Sequence, residues 1–183
     1  MKENESLLNL TNSWLDKFGI RLDVQQLREI IHRLAVRRPG SGLDLDITDV
    51  GFGLSQILPV IVQGFLAAPN SLTLIEQPEI HLHPRMQAEL ADLFIDMCQS
   101  ETRRFLIETH SEYLLNRLRR RIAEGKINAE DVAIHFVDAD PNLQCSLVKE
   151  IKIEKRGSFE WPANFYIDEL EDTVAFLSRQ GAG

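Results

Sequence analysis

The sequence predicts an α/β fold: a mostly parallel sheet with flanking helices and antiparallel edge strands. Short apolar runs at 72–75, 105–107 and 132–137 alternate with longer stretches of helical period, the pattern of strands joined by crossover helices. Pro39-Gly40-Ser41-Gly42 separates two alternating segments, which marks a hairpin. The 183 residues, 44% apolar and 26% charged, suit a single globular domain with a real core.

Taken in order, Leu7, Leu8, Leu10, Trp14, Leu15 and Phe18 recur at helical spacing, so 5–18 reads as an amphipathic helix that Gly19 ends. Residues 30–37 alternate as a half-buried strand, and Leu43, Leu45 and Ile47 form its return. Arg37, Asp44 and Asp46 then share the wet face, where opposite charges attract across strands. Ile57, Leu58, Ile61, Val62 and Leu66 give the next helix, with Pro59 placed near its first turn. Leu72 to Ile75 is a buried strand, and Pro84 opens a helix facing inward through Leu90, Leu93, Phe94 and Met97. After the strand at 105–107, Thr109 and Glu112 have capping-box spacing before a helix with Leu114, Leu115, Leu118 and Ile122 inward. Val132 to Val137 and Leu147 to Ile153 read as an antiparallel pair around a turn at 138–142, and 168–178 as a last helix. The expected organisation is one domain over 1–183: helix and hairpin to 48, a core over 49–137, then a C-terminal strand and helix over 138–183.

Charge and cysteine content narrow the function classes. A net charge of −8 argues against a protein built mainly to coat nucleic acid. Cys98 and Cys145 have neither CxxC nor metal spacing, which fits a reducing cytoplasm. No stretch approaches the roughly 20 apolar residues of a membrane span, and the acidic N-terminus is unlike a secretory signal.

Three segments carry chemistry. In Asp49 to Gln56, Gly51 and Gly53 precede an apolar helix. Glycines there let backbone N–H groups meet an anion, which the helix dipole favours. A turn that only joins hairpin to helix would read the same way. Next, the strand from Leu72 ends in Glu76, a carboxylate at the C-terminal edge of a sheet where α/β folds bind ligands and where Mg²⁺ can be held. His81 and His83 behind it have a zinc-ligand spacing, but loop structure ahead of Pro84 accounts for them equally. Finally, the strand 105–107 leads to His110, which lies 34 residues after Glu76 and can donate to a phosphate or orient water. The basic run of Arg117, Arg119, Arg120 and Arg121 spans more than one helical face, and reads as a solvated surface or as a DNA contact.

In this order and spacing, the three segments resemble the ABC-type ATPases of the RecF, SMC and OLD-nuclease kind, often described as AAA ATPases. Val50 to Gln56 is similar to their signature loop, Leu72 to Gln77 to Walker B, Glu79 to Pro84 to the run that follows it, and Thr109-His110-Ser111 to the switch loop. Trp161 to Asp168 resembles a Trp-Pro-x-x-Phe-Phe-Asp segment found in a small C-terminal region of one subgroup. The likeness covers roughly 43–170.

The resemblance implies the C-terminal half of a P-loop NTPase head, in which two heads sandwich two ATP molecules. It gives Glu76 the Mg²⁺-associated carboxylate position and His110 the γ-phosphate-sensing position. It gives Gly51, Gly53 and Ser55 contact in trans with a nucleotide held by a second ATPase head, in a homo-oligomeric machine. Two features depart from the pattern. Gln77 stands where a general-base glutamate is usual, and an amide cannot take a proton at neutral pH, unless Glu76 or Glu79 substitutes. No G-x-x-x-x-G-K-[ST] occurs; Gly125-Lys126 is followed by Ile127 and has Arg120 where the first glycine belongs.

The expectation is therefore an ATPase head fragment that turns over only with a P-loop-bearing half, serving DNA repair or phage defence. A non-catalytic interaction or regulatory module of the same fold is the alternative. A metal-dependent hydrolase built on Glu76, Glu79, His81 and His83 is a third reading.

Overall fold

Trp14 and Leu15 are the reason the N-terminal helix sits where it does. Helix α1 (Lys2–Leu15) buries both, with Thr11 one turn earlier, and leaves Leu10 largely outside. A 3-10 turn over Asp16–Phe18 follows, and Gly19 closes it at φ 65, donating its N–H to the Asp16 carbonyl. The computed structural model describes residues 2–38, 40, 42–140, 145–162, 165 and 176, with the backbone alone at 2–4, 52, 100 and 101. Contacts divide the chain into two units, Met1–Leu118 and Arg119–Gly183.

The first unit contains an antiparallel ribbon of β1 (Arg21–Arg28), β2 (Ile31–Arg37) and β3 (Asp44–Asp46), in that order. The sequence reading has β2 and β3 but not β1. It also starts the strand at Ile30, which instead occupies a two-residue turn with Glu29 and is 89% exposed. The expected charge pairing on the wet face is present: Arg37 grips Asp44 at 2.7 and 2.9 Å, and Arg33 grips Asp46 at 2.6 and 3.1 Å.

Helix α2 (Phe52–Leu66) buries Leu54, Ile57, Leu58 and Ile61. Pro59 is its eighth residue, mid-helix rather than near the first turn. Its missing N–H withholds a bond from the Ser55 carbonyl. Ser55 and Pro59 both lie on the exposed side of the helix. At the other end, the buried Arg103 donates to the carbonyls of Ala67 (2.7 Å) and Phe65 (3.0 Å). A guanidinium there satisfies carbonyls the helix leaves open and opposes its negative pole.

Strands β4 (Leu72–Glu76) and β5 (Arg104–Glu108) pair in parallel, linked by α3 (Pro84–Glu101), and α4 (Glu112–Ala123) follows. Leu90, Leu93, Phe94 and Met97 of α3 all face the core, as their spacing predicts. Thr73, Ile75, Phe105 and Ile107 turn inward from the strands, while Leu72, Leu74 and Leu106 are exposed on the other face. The cap of α4 falls two residues later than expected. The Ser111 hydroxyl, not that of Thr109, accepts from the third helical N–H, at Leu114 (3.2 Å), while Thr109 accepts from Ser111 N–H.

In the second unit β6 (Ile134–Asp140) and β7 (Cys145–Ile151) form the expected antiparallel pair, as a sheet of their own. Asp138, Ala139 and Asp140, expected in a turn, continue the strand. Arg119 donates to the Gly157 carbonyl (3.0 Å) and stacks on Phe159, beside Trp161 and Phe165. The helix expected at 168–178 lies outside the described residues, apart from Phe176. Among the described residues no helix is long and apolar enough to cross a membrane.

Candidate functional site

The site is built on the C-terminal ends of β4 and β5. Their register pairs Leu72 with Arg104 and runs in step to Glu76 beside Glu108. Side chains at equal register on parallel strands share a face, and both carboxylates are exposed there. The Glu76 and His110 segments therefore leave the sheet at one edge, as the right-handed crossover predicts. Glu108 has no assigned role in the sequence reading, because the register that sets it beside Glu76 is not visible along the chain. Gln77 leaves β4 at φ 46 and donates its backbone N–H to the Glu108 carbonyl (2.8 Å); its side-chain amide lies 3.4 Å from Glu108 Oε1. His110 Nε2 approaches the same Oε1 at 3.5 Å, with 78% of its side chain in solvent.

An open cavity of roughly 360 Å³ lies beside this edge, lined by Gln77, Glu79, His81, Gln87, His110 and Ser111 among others. Glu79 is buried at its rim, where Oε1 accepts the His110 N–H at 2.7 Å. His83 is the N-cap of α3, its Nδ1 accepting from Arg85 N–H at 3.2 Å, and Pro84 takes the first helical position. The capping bond occupies one nitrogen of the zinc-like pair, and Glu79 is turned inward. Among the described residues no three His, Cys, Asp or Glu side chains are grouped to hold a metal.

The glycine segment opens α2. Gly51 is the N-cap at φ 104, ψ 154, a region almost closed to other residues, and being glycine it brings no side chain to cap the first turn. Gly53 lies inside the helix. A Cβ there would meet the carbonyl oxygen of His81 at 2.7 Å and Leu82 Cδ2 at 3.2 Å. The close approach that Gly53 permits is thus to this chain's own loop. Ser55 stands exposed in the first turn.

The arginine run is tied within the chain. Arg117 bridges Glu89 (3.2 Å) and Asp92 (2.5 Å), Arg119 is stacked as described, and Arg120 and Arg121 both hold Glu124. The Glu124 carboxyl is held below its ordinary range by hydrogen bonds from Arg121 and then Arg120.

A parallel pair ends in an acidic edge with a histidine loop beside it, and a glycine-opened helix lies in the same unit. Residues 1–115 match the model of the AAA ATPase domain family, and the chain belongs to that family. One solved structure, described as "Structural biochemistry of ATP-driven dimerization and DNA stimulated activation of SMC ATPases", matches at a TM-score of 0.62 and 15% identity, over 95% of this chain and 94% of that one. The Smc head bound to the C-winged helix domain of ScpA matches at 0.57 and 16%, over 82% of this chain and 44% of that one. The Smc head domain with a coiled coil and joint derived from Pyrococcus yayanosii matches at 0.61 and 15%, over 85% and 28%. At these identities the likeness is one of fold. No curated protein matches.

Proposed function

We propose that this chain is an ATPase head fragment that completes an ATP sandwich with a P-loop-bearing half or a second head. The observation that carries the reading is the shared edge: Glu76 and Glu108 in register, with the His110 loop leaving the same end of the sheet. In this reading Glu76 belongs to the magnesium position, and His110 senses the γ-phosphate. Gly51 and Ser55, with the backbone N–H of Gly53, meet the γ-phosphate of a nucleotide that the partner holds. One or two carboxylates plus phosphate oxygens are a usual Mg²⁺ set, so the exposed Glu76, with Glu108 beside it, fits the ion. When bound it would neutralise charge on the β- and γ-phosphates. The helix N-terminus that Gly51 opens fits an anion.

The exposed face of the parallel pair supports a missing complement. Leu74 is 69% and Leu106 56% exposed, whereas parallel sheets are normally covered on both faces. The SMC ATPase in the first match is described as dimerising with ATP and activated by DNA. That description supports a homo-oligomeric machine that acts with DNA; DNA repair or phage defence, in the cytoplasm, is our proposal for its setting. Gln77 favours a second reading, a module that keeps the fold and binds without turnover.

Phosphate release is the test. The chain alone is expected to release none, because Gln77 is no base and the sequence holds no P-loop. Addition of a P-loop-bearing half should create nucleotide binding, with turnover in the first reading and none in the second. Turnover of about 1 s⁻¹ by the chain alone, within the ordinary enzyme range, contradicts both.

A further inference from the structure

The buried Glu79 has more to do than line a loop. It lies between β4 and α3, is only 7% exposed, and gives Oε1 to the backbone N–H of His110 at 2.7 Å. A carboxylate acceptor makes this a charge-assisted bond, roughly twice as strong as a neutral one. Oε2 is buried without a hydrogen-bond partner among the described residues, so Oε1 carries the recognisable contact.

Two further ties run in parallel from the same stretch of chain. Gln77 N–H holds the Glu108 carbonyl, and Gln87 accepts from the Ser111 hydroxyl at 2.7 Å while donating to the Leu82 carbonyl at 2.9 Å. Residues 108, 110 and 111 are thus each held from the 77–87 stretch. The imidazole of His110, 78% exposed, reaches outward.

We infer that Glu79 is a positioning residue for His110. Its carboxylate fixes the backbone of the β5–α4 loop so that the imidazole stands at the mouth of the cavity at the sheet edge. The Gln77 and Gln87 ties anchor the flanks, while Glu79 holds the backbone of residue 110 itself. The inference rests on the proposed place of His110 at the γ-phosphate, but its test needs no nucleotide. Failure of the clamp leaves that reading standing, and failure of ATP-driven association leaves the clamp standing.

The experiment is NMR on the full chain, following hydrogen exchange of the His110 amide and the shift of its imidazole Cε1–H. In the parent protein this loop amide should exchange at least about tenfold more slowly than a free-chain amide, since exchange then requires the bond to open. Glu79→Gln keeps an oxygen acceptor and should retain the protection. Glu79→Ala should lose it and move the imidazole signal, while amides of β4 and β5 stay protected. Free-chain exchange at His110 in the parent protein overturns the inference even if Glu79→Ala does not fold. An Ala variant with the parent's protection and imidazole shift overturns it as well.

Discussion

The β1–β3 ribbon and the sheet edge at β4–β5 are both rich in charge, and they treat it in opposite ways. On the ribbon every cross-strand carboxylate has an arginine: Asp44 with Arg37 and Asp46 with Arg33. The Arg37 and Gln25 hydrogen bonds pull the Asp44 carboxyl down to about 2, from an ordinary 3.8. At the edge, Glu76 and Glu108 stand side by side, and among the described residues neither pairs with a lysine or arginine. The ribbon is electrostatically complete within the chain. The edge is arranged for a positive charge or a donor from elsewhere, which is what a magnesium nucleotide supplies.

Three substitutions sharpen this contrast. The largest effect is expected at Gly53, where α2 leans on the loop behind the sheet edge. Gly53→Ala drives a methyl onto the His81 carbonyl, and overpacking of this kind costs about 1–3 kcal/mol. The helix preference for alanine returns up to about 1 kcal/mol, so urea melts should show a net loss of about 1–2 kcal/mol. A neutral or stabilised variant would mean that α2 and the loop are not in contact.

A smaller effect of opposite sign is expected at the edge itself. Glu108→Gln removes one of two like charges lying side by side, and should stabilise the chain by about 0.2–0.5 kcal/mol at low salt, fading as salt rises. Destabilisation in the same melts would show that Glu108 is already compensated. The smallest effect belongs to the ribbon. Because Asp44 is depressed on folding, its contribution is present above the ordinary 3.8 and is lost as pH falls through about 2. Asp44→Asn should therefore flatten the acid limb of the stability curve in that window, being less stable than the parent at neutral pH and converging with it below about pH 2. An unchanged acid limb would show that the Arg37 pair contributes nothing.

Much of this was legible in the sequence, for identifiable reasons. The strands at 72–76 and 104–108 are apolar runs with clear stops, and Pro84 announces the helix between them. Strand β1 was not legible. Leu22 and Val24 alternate, but Leu27 falls at a bulge, and the Glu29-Ile30 turn has no glycine, proline or asparagine to mark it. A ribbon with Val24, Leu27 and Ile30 largely in water leaves little hydrophobic pattern to read.

At the site, the positions of Glu76, Gln77 and His110 followed from strand ends. Burial of Glu79 and its bond to His110 N–H did not, since a carboxylate in a Pro-Glu-x-His loop reads as exposed. The Ser111 cap was masked by Thr109, whose spacing to Glu112 imitates a capping box. Gly53 was read as a place for an approaching anion, whereas the structure fills the space with His81.

That last finding selects the decisive variant. A substitution at Gly53 would disturb the fold together with any partner contact, whereas Ser55 is exposed in the first turn of α2. The measurement is sedimentation of the chain mixed with a P-loop-bearing half, with and without ATP and Mg²⁺, for the parent and for Ser55→Arg. The account predicts ATP-dependent association of two heads for the parent. It also predicts loss of that association in Ser55→Arg, with nucleotide binding to the P-loop half retained. Equal association of parent and variant, or association indifferent to ATP, would contradict a glycine segment that acts on a partner's nucleotide.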